Sequence, residues 1–154
     1  MKTLCIILIL ITNILGDNMP RYTQINDYFD KSTSVITYVD GISREYENDS
    51  QEYKDILSTL NTLCENSRDL PALGVSLHNE TKEALSKNVW IELIYNNTIY
   101  HNEMSFDSLL INIQPNYMGF DLIRGLNGKY EGRCFHLSIN GYITPLYDLI
   151  VSIK

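Results

Sequence analysis

The sequence predicts an α+β fold, a mostly antiparallel sheet with one long amphipathic helix at about 49–66 packed on it. Three observations carry this expectation. Short β-branched and aromatic runs recur along the chain, separated by Asp-Gly, Asn-Asn and Asn-Gly turn signals. One stretch has helical periodicity, with apolar residues at Tyr53, Ile56, Leu57, Leu60, Leu63 and Cys64. Hydrophobic residues make up 44% and charged residues 20%, the balance of a globular chain.

Taken in order, the chain opens with one basic residue, Lys2, and an unbroken apolar run from Leu4 to Ile11. Gly16 then precedes the polar Asp17-Asn18. This is the layout of a secretory signal peptide, and the run is well short of the ~20 apolar residues that a spanning helix needs. The expectation is a signal over 1–16 and a single globular domain over 17–154, secreted or otherwise extracytoplasmic. Ile14 is larger than the small residue usual at its place, which leaves the cut site open; a retained leader would tether the domain to a membrane. Asp17 to Lys31 reads as a leader or short irregular helix. Ser34 to Tyr46 reads as a hairpin turning at Asp40-Gly41. The long helix follows, with Asp49 as its cap and Glu52 completing a capping box.

Beyond Pro71, Gly74 to Leu77 reads as a short strand and Asn79 to Lys87 as a short helix. Val89 to Tyr95 is a strand that turns at Asn96-Asn97 into Thr98 to His101. Ser105 to Leu109 reads as a helical turn and Leu109 to Ile113 as a strand. Phe120 to Arg124 and Arg133 to Ile139 are further strands, the second closing at Asn140-Gly141 into Tyr142-Ile143. Pro145 suits the first turn of a last helix.

The formal net charge is -7, and losing Lys2 with the leader makes it -8. Lys and Arg do not cluster, so nucleic acid and anionic membrane surfaces are poor partners. Three cysteines are present, of which Cys5 lies in the signal. Cys64 and Cys134 either form a disulfide, as a pair in an exported domain often does, or are two buried thiols. A disulfide would close a loop of about 70 residues and contribute up to ~4 kcal/mol. Asn48, Asn79 and Asn96 stand in glycosylation triplets, about as many as this composition yields by chance.

Recognisable catalytic and metal-binding motifs are sparse in the sequence. His78, His101 and His136 show no metal-pair spacing, and no Cys-x-x-Cys occurs, so no metal and no cofactor are expected. Cys134 and His136 share a strand face, which admits half a zinc site or a thiol beside its base as well as a plain strand pair. Ser76 lacks the second glycine of a nucleophile elbow. Glu92, between Trp90 and Ile94, is either a buried carboxylate and a site candidate or part of an exposed strand face. Four apolar residues on the other face, Val89, Ile91, Leu93 and Tyr95, predict the exposed arrangement. Arg124, Lys129, Tyr130 and Arg133 surround a loop able to grip an anion or to neutralise the protein's own carboxylates. With Trp90 and Glu92 they form the expected binding surface. Tyr outnumbers Phe 11 to 4, which suits exposed aromatic contacts or reflects codon bias alone.

Several stretches resemble small proteins of low-GC Gram-positive bacteria. They are Pro71 to Thr81, Val89-Trp90-Ile91-Glu92, Phe106 to Ile113, Gly119 to Arg124 and Tyr130 to Phe135. That group has no assigned activity, so the resemblance implies no catalytic residue. The functional expectation is a small exported binding module without cofactor, whose partner is an extracellular protein or surface ligand. The alternatives are an extracellular hydrolase of sugar or peptide using carboxylates, and a secreted enzyme inhibitor presenting a hairpin loop.

Overall fold

The computed structural model describes residues 22–153, so the expected signal over 1–16 lies outside them. A 3-10 helix, Ile25–Lys31, leads into β1 (Ser34–Val39) and β2 (Ile42–Glu47). Asp40 and Gly41 join the two strands at φ 52° and 80°, the left-handed pair that a tight hairpin turn demands. Helix α1 (Gln51–Leu63) follows. Its cap is Ser50, whose side chain accepts the Tyr53 amide, rather than the expected Asp49. The helix buries Tyr53, Ile56, Leu57 and Leu60, the stripe that its periodicity marks out.

Next come β3 (Arg68–Leu70), β4 (Val75–Ser76) and helix α2 (His78–Leu85). Strands β5 (Trp90–His101), β6 (Met104–Asn112), β7 (Gly119–Gly125), β8 (Gly132–Arg133) and β9 (Phe135–Ser138) complete the β structure, and helix α3 (Thr144–Ser152) ends it. Seven strands form one antiparallel sheet in the order β2-β1-β5-β6-β7-β9-β3, while β4 and β8 pair as a separate ribbon. The architecture is α+β, with a large antiparallel sheet and a few helices. Among the described residues no helix is long and apolar enough to cross a membrane.

Several local expectations are corrected. Asn96-Asn97 does not turn; β5 runs through it with a register shift between Ile94 and Ile99. The turn falls instead at Asn102 and Glu103, both at positive φ. Ser105 to Leu109 is therefore strand rather than helical turn, because β5 pairs with it on both sides of that register shift. The last predicted strand is split at Cys134 into β8 and β9, and Tyr142-Ile143 leads into α3 instead of returning as a strand.

The main core lies on one sheet face. Ile91, Leu93, Leu109, Ile111, Leu122 and Phe135 meet the 3-10 helix, α1 and α3 there. Cys64, which caps α1, belongs to this core. Cys134 lies across the sheet, lining a cleft with Trp90 and Ile123. Both thiols are free. The sheet between them is the physical reason that the candidate disulfide Cys64–Cys134 does not form, since bonded sulfurs need side chains that face one another.

Burial pushes the Cys64 thiol up to about 12, which leaves little thiolate at neutral pH. The expected outcome is an intact mass unchanged by reductant, with Cys64 labelled by a thiol reagent only after denaturation. A native protein whose Cys64 appears only after reduction would contradict this arrangement.

Candidate functional site

The second face of the sheet carries the polar chemistry. Strand β5 runs through the sheet interior, so its outward residues meet a covering layer rather than water. This is why Trp90 and Glu92, expected on an exposed face, are only 4% and 3% accessible. The cover consists of α2 and the loop that brings Tyr130 over the sheet; Leu85, Trp90 and Leu110 form a small second core there with Ala84, Tyr38 and Ile123 against them. The Trp90 indole N–H donates to the Ala84 carbonyl at 3.2 Å and fastens α2 down.

Glu92 lies at the centre. Ser108 Oγ donates to its Oε1 at 2.7 Å and Tyr38 donates to its Oε2 at 2.8 Å. The Tyr130 hydroxyl sits 2.9 and 3.0 Å from the two oxygens and shares its proton between them. Three hydroxyls thus replace the hydration shell that burial removes, as a buried carboxylate requires. The register explains the convergence. Ser34, Ile94, Ser108 and Gly125 form one cross-strand row, and Ile36, Glu92, Leu110 and Ile123 form the next. Gly125 leaves the room, because a Cβ there would fall 2.0 Å from Ser108 Oγ and 3.3 Å from the Tyr130 ring. Tyr130 in turn gives its amide to His78 Nδ1 at 3.2 Å and stacks on that ring, which joins the start of α2 to the carboxylate. Burial first, then the Glu92 charge, holds the Tyr38 and Tyr130 hydroxyls well above the ordinary tyrosine value of 10.0.

Beside this cluster the cover leaves an opening. A cleft of about 430 Å³ lies between the β4–α2 segment and the sheet, with Leu73, Leu77, Trp90 and Ile123 among its walls. Asn112, Asp121 and His136 supply its polar side. They belong to one row across the sheet: Trp90 opposes Asn112 and Asp121 opposes His136, and the Ile111–Leu122 pairing one residue along sets Asn112 beside Asp121. A second depression of about 630 Å³ adjoins it and shares Leu73, Asp121 and His136; Leu70, Tyr117 and Met118 line its far part. His136 divides the two. Its Nδ1 lies 2.6 Å from Asp121 Oδ1, and its Nε2 meets the Leu73 carbonyl.

That pairing bears on the thiol reading. Both His136 nitrogens are engaged, by Asp121 and by the Leu73 carbonyl, and the Cys134 sulfur points to the Gly132 carbonyl. Burial raises the Cys134 thiol, against a weaker opposing effect of the Ser76 side chain. A raised, protonated thiol without a free base is a poor nucleophile. Among the described residues no group of three or more His, Cys, Asp or Glu could hold a metal ion.

The six residues of the expected binding surface separate. Trp90, Glu92 and Tyr130 come together, but within the covering layer. The Arg124 guanidinium is spent on the carbonyls of Ser105, Glu131 and Arg133 at 2.9–3.2 Å, so it clamps backbone instead of gripping an anion. Lys129 is exposed in the loop and Arg133 at the end of β8. The exposed apolar residues around the two depressions were not singled out from sequence. The available signal was the apolar content of stretches that lack any period, Leu70 to Leu73 and Tyr117-Met118. No family model, curated protein or solved structure matches the chain.

Replacing the acceptor tests the cluster. Glu92→Gln points an amide donor at hydroxyl donors, and its stability is expected to fall by about 1–3 kcal/mol. This is read as a lower urea midpoint at unchanged slope; an unchanged midpoint would show the three bonds to be energetically idle. High pH should unfold the protein in a defined sense. The unfolded chain releases its tyrosine protons near 10.0, while folded Tyr38 and Tyr130 keep theirs. Their contribution is complete below that pH and is lost as pH rises through the raised folded values. Tyrosinate absorbance of the native protein is expected to lag behind that of the unfolded chain, and Tyr38→Phe with Tyr130→Phe to shrink the lag.

Proposed function

We propose that this chain is a small exported binding module, working without a cofactor, and that the groove passing Leu73 is its binding surface. The observation that carries the reading is the exposed apolar belt around the groove. Leu70, Leu73, Val75, Leu77, Tyr117 and Met118 all stand out to solvent, with Leu73 at 69% exposure. Exposing them gains nothing in folding, and a contiguous apolar patch beside a concave surface marks an interaction site. The signal-like layout of the sequence over 1–16 supports export, and with it a partner among extracellular proteins or surface ligands. The competing hydrolase reading needs a solvent-facing carboxylate pair at a fixed separation. Glu92 fits it poorly, since three hydroxyls occupy both of its oxygens.

The test has two arms. The full chain, expressed in a secreting host, is expected in the medium with a mass short of the leader. The recovered protein is expected to bind an environment-sensitive apolar dye. Leu73→Glu and Leu77→Glu should weaken that binding by about tenfold or more, with stability within about 0.5 kcal/mol of the parent because both side chains are exposed. Tyr100→Glu, exposed but outside the groove, serves as control. A full-mass product held in the cytoplasm would defeat the export claim. Dye binding indifferent to Leu73 and Leu77 would defeat the surface.

A further inference from the structure

We propose that the groove accepts an extended peptide segment carrying one basic side chain between apolar ones, the basic group entering the cleft between Trp90 and Asp121. This rests on the binding reading above and adds the chemistry of the partner. The polar groups of the cleft are mostly acceptors. Glu80 and Asp121 line it, neither Lys nor Arg does, and its imidazole, His136, is taken up by Asp121 Oδ1 and the Leu73 carbonyl. The neighbouring depression shares Asp121 and His136 with the cleft and has no Lys or Arg among its lining residues. Asn112 adds a separate observation. Its Oδ1 is buried without a hydrogen-bond partner, and Asn112 lines the cleft. A buried acceptor left unpaired costs stability, and a donor arriving with a ligand recovers that cost. Trp90 forms a wall of the same cleft, and an indole attracts a cation. An ammonium or guanidinium group is thus matched by the Glu80 carboxylate, the Asp121 oxygen that His136 does not hold, an unpaired carbonyl oxygen and an aromatic wall.

The shape favours a peptide over a small amine. A small amine would occupy the 430 Å³ cleft alone. The apolar lining instead continues past Leu73 into the 630 Å³ depression, where Leu70, Tyr117 and Met118 offer places for the side chains that flank the basic one. The excess of negative charge on the whole chain, formally -7, draws such a partner in.

The experiment is fluorescence anisotropy on the full secreted protein at an ionic strength of about 0.15 M. The probes are two labelled peptides in a serine-glycine background, one with lysine between two leucines and one with glutamate in that place. The lysine peptide is expected to bind tighter by about tenfold or more. The double variant Glu80→Gln, Asn112→Leu should reduce that preference to about twofold or less, with its unfolding midpoint unchanged or raised, since the asparagine removed carries an unpaired oxygen. Equal binding of the two peptides overturns the proposal and leaves the apolar groove standing. Competition by free lysine amide at the same concentration as the peptide overturns it in favour of a small-amine site. Binding of the dye but of neither peptide overturns the peptide class. Failure of both peptides together with dye binding indifferent to Leu73→Glu removes the binding reading itself.

Discussion

The carboxylate of Glu92 is the interaction on which the second half of this fold depends. A carboxylate near the start of an interior strand tolerates burial only if protein groups replace its water, and here Tyr38, Ser108 and Tyr130 do so. The three come from β1, β6 and the loop between β7 and β8, so one carboxylate joins sheet and cover. Tyr130 reaches on to His78 and thereby fixes the start of α2. The far end of α2 is held by the Trp90 indole. With both ends fixed, the β4–α2 segment stands over the sheet at a distance that leaves the cleft open. The polar cluster and the groove are therefore one construction, in which the first sets the geometry of the second.

A good part of the fold was legible in the sequence. The hairpin at Asp40-Gly41, the α1 stripe and the class itself follow from local turn chemistry and from periodicity, both of which act within a few residues. The failures share a different cause. Trp90 and Glu92 looked exposed because four apolar residues filled the opposite face of β5, and alternation is the mark of a strand covered on one side only. Whether a second layer exists is a property of topology. Here it depends on α2 folding back over the strand that follows it, and on Tyr130, 38 residues away from Glu92. The missed turn at Asn102-Glu103 has a similar explanation. Asn96-Asn97 is the stronger local signal, but the β6 ladder on either side of it outweighs it and keeps the strand extended across the shift.

The candidate site was legible in its parts and not in its arrangement. Trp90, Glu92 and Tyr130 were rightly grouped, yet as a surface rather than as an internal support. Arg124, read as serving either an anion or the protein's own carboxylates, holds neither role alone for a plain reason: a guanidinium beside a loop offers donors, and backbone carbonyls accept them as readily as a ligand does. Cys134 and His136 do share a cleft, but Asp121 and the Leu73 carbonyl take up the imidazole. The apolar belt went unmarked because Leu70, Leu73, Tyr117 and Met118 lie where no period exists to make an apolar residue conspicuous.

Gly125 has a consequence for how this protein tolerates mutation. The space beside it is filled by Ser108 and by the Tyr130 ring, so its missing side chain is part of the carboxylate's surroundings. Five positions, 38, 92, 108, 125 and 130, thus form a coupled set, and the effect of changing one depends on the identity of the rest. Loss of a single hydroxyl leaves a charge partly stripped of its shell, whereas replacing the carboxylate and its donors together by apolar groups of matching shape removes the demand altogether. Sequences that diverge here should do so as a block, and the permitted intermediates between two such blocks are few.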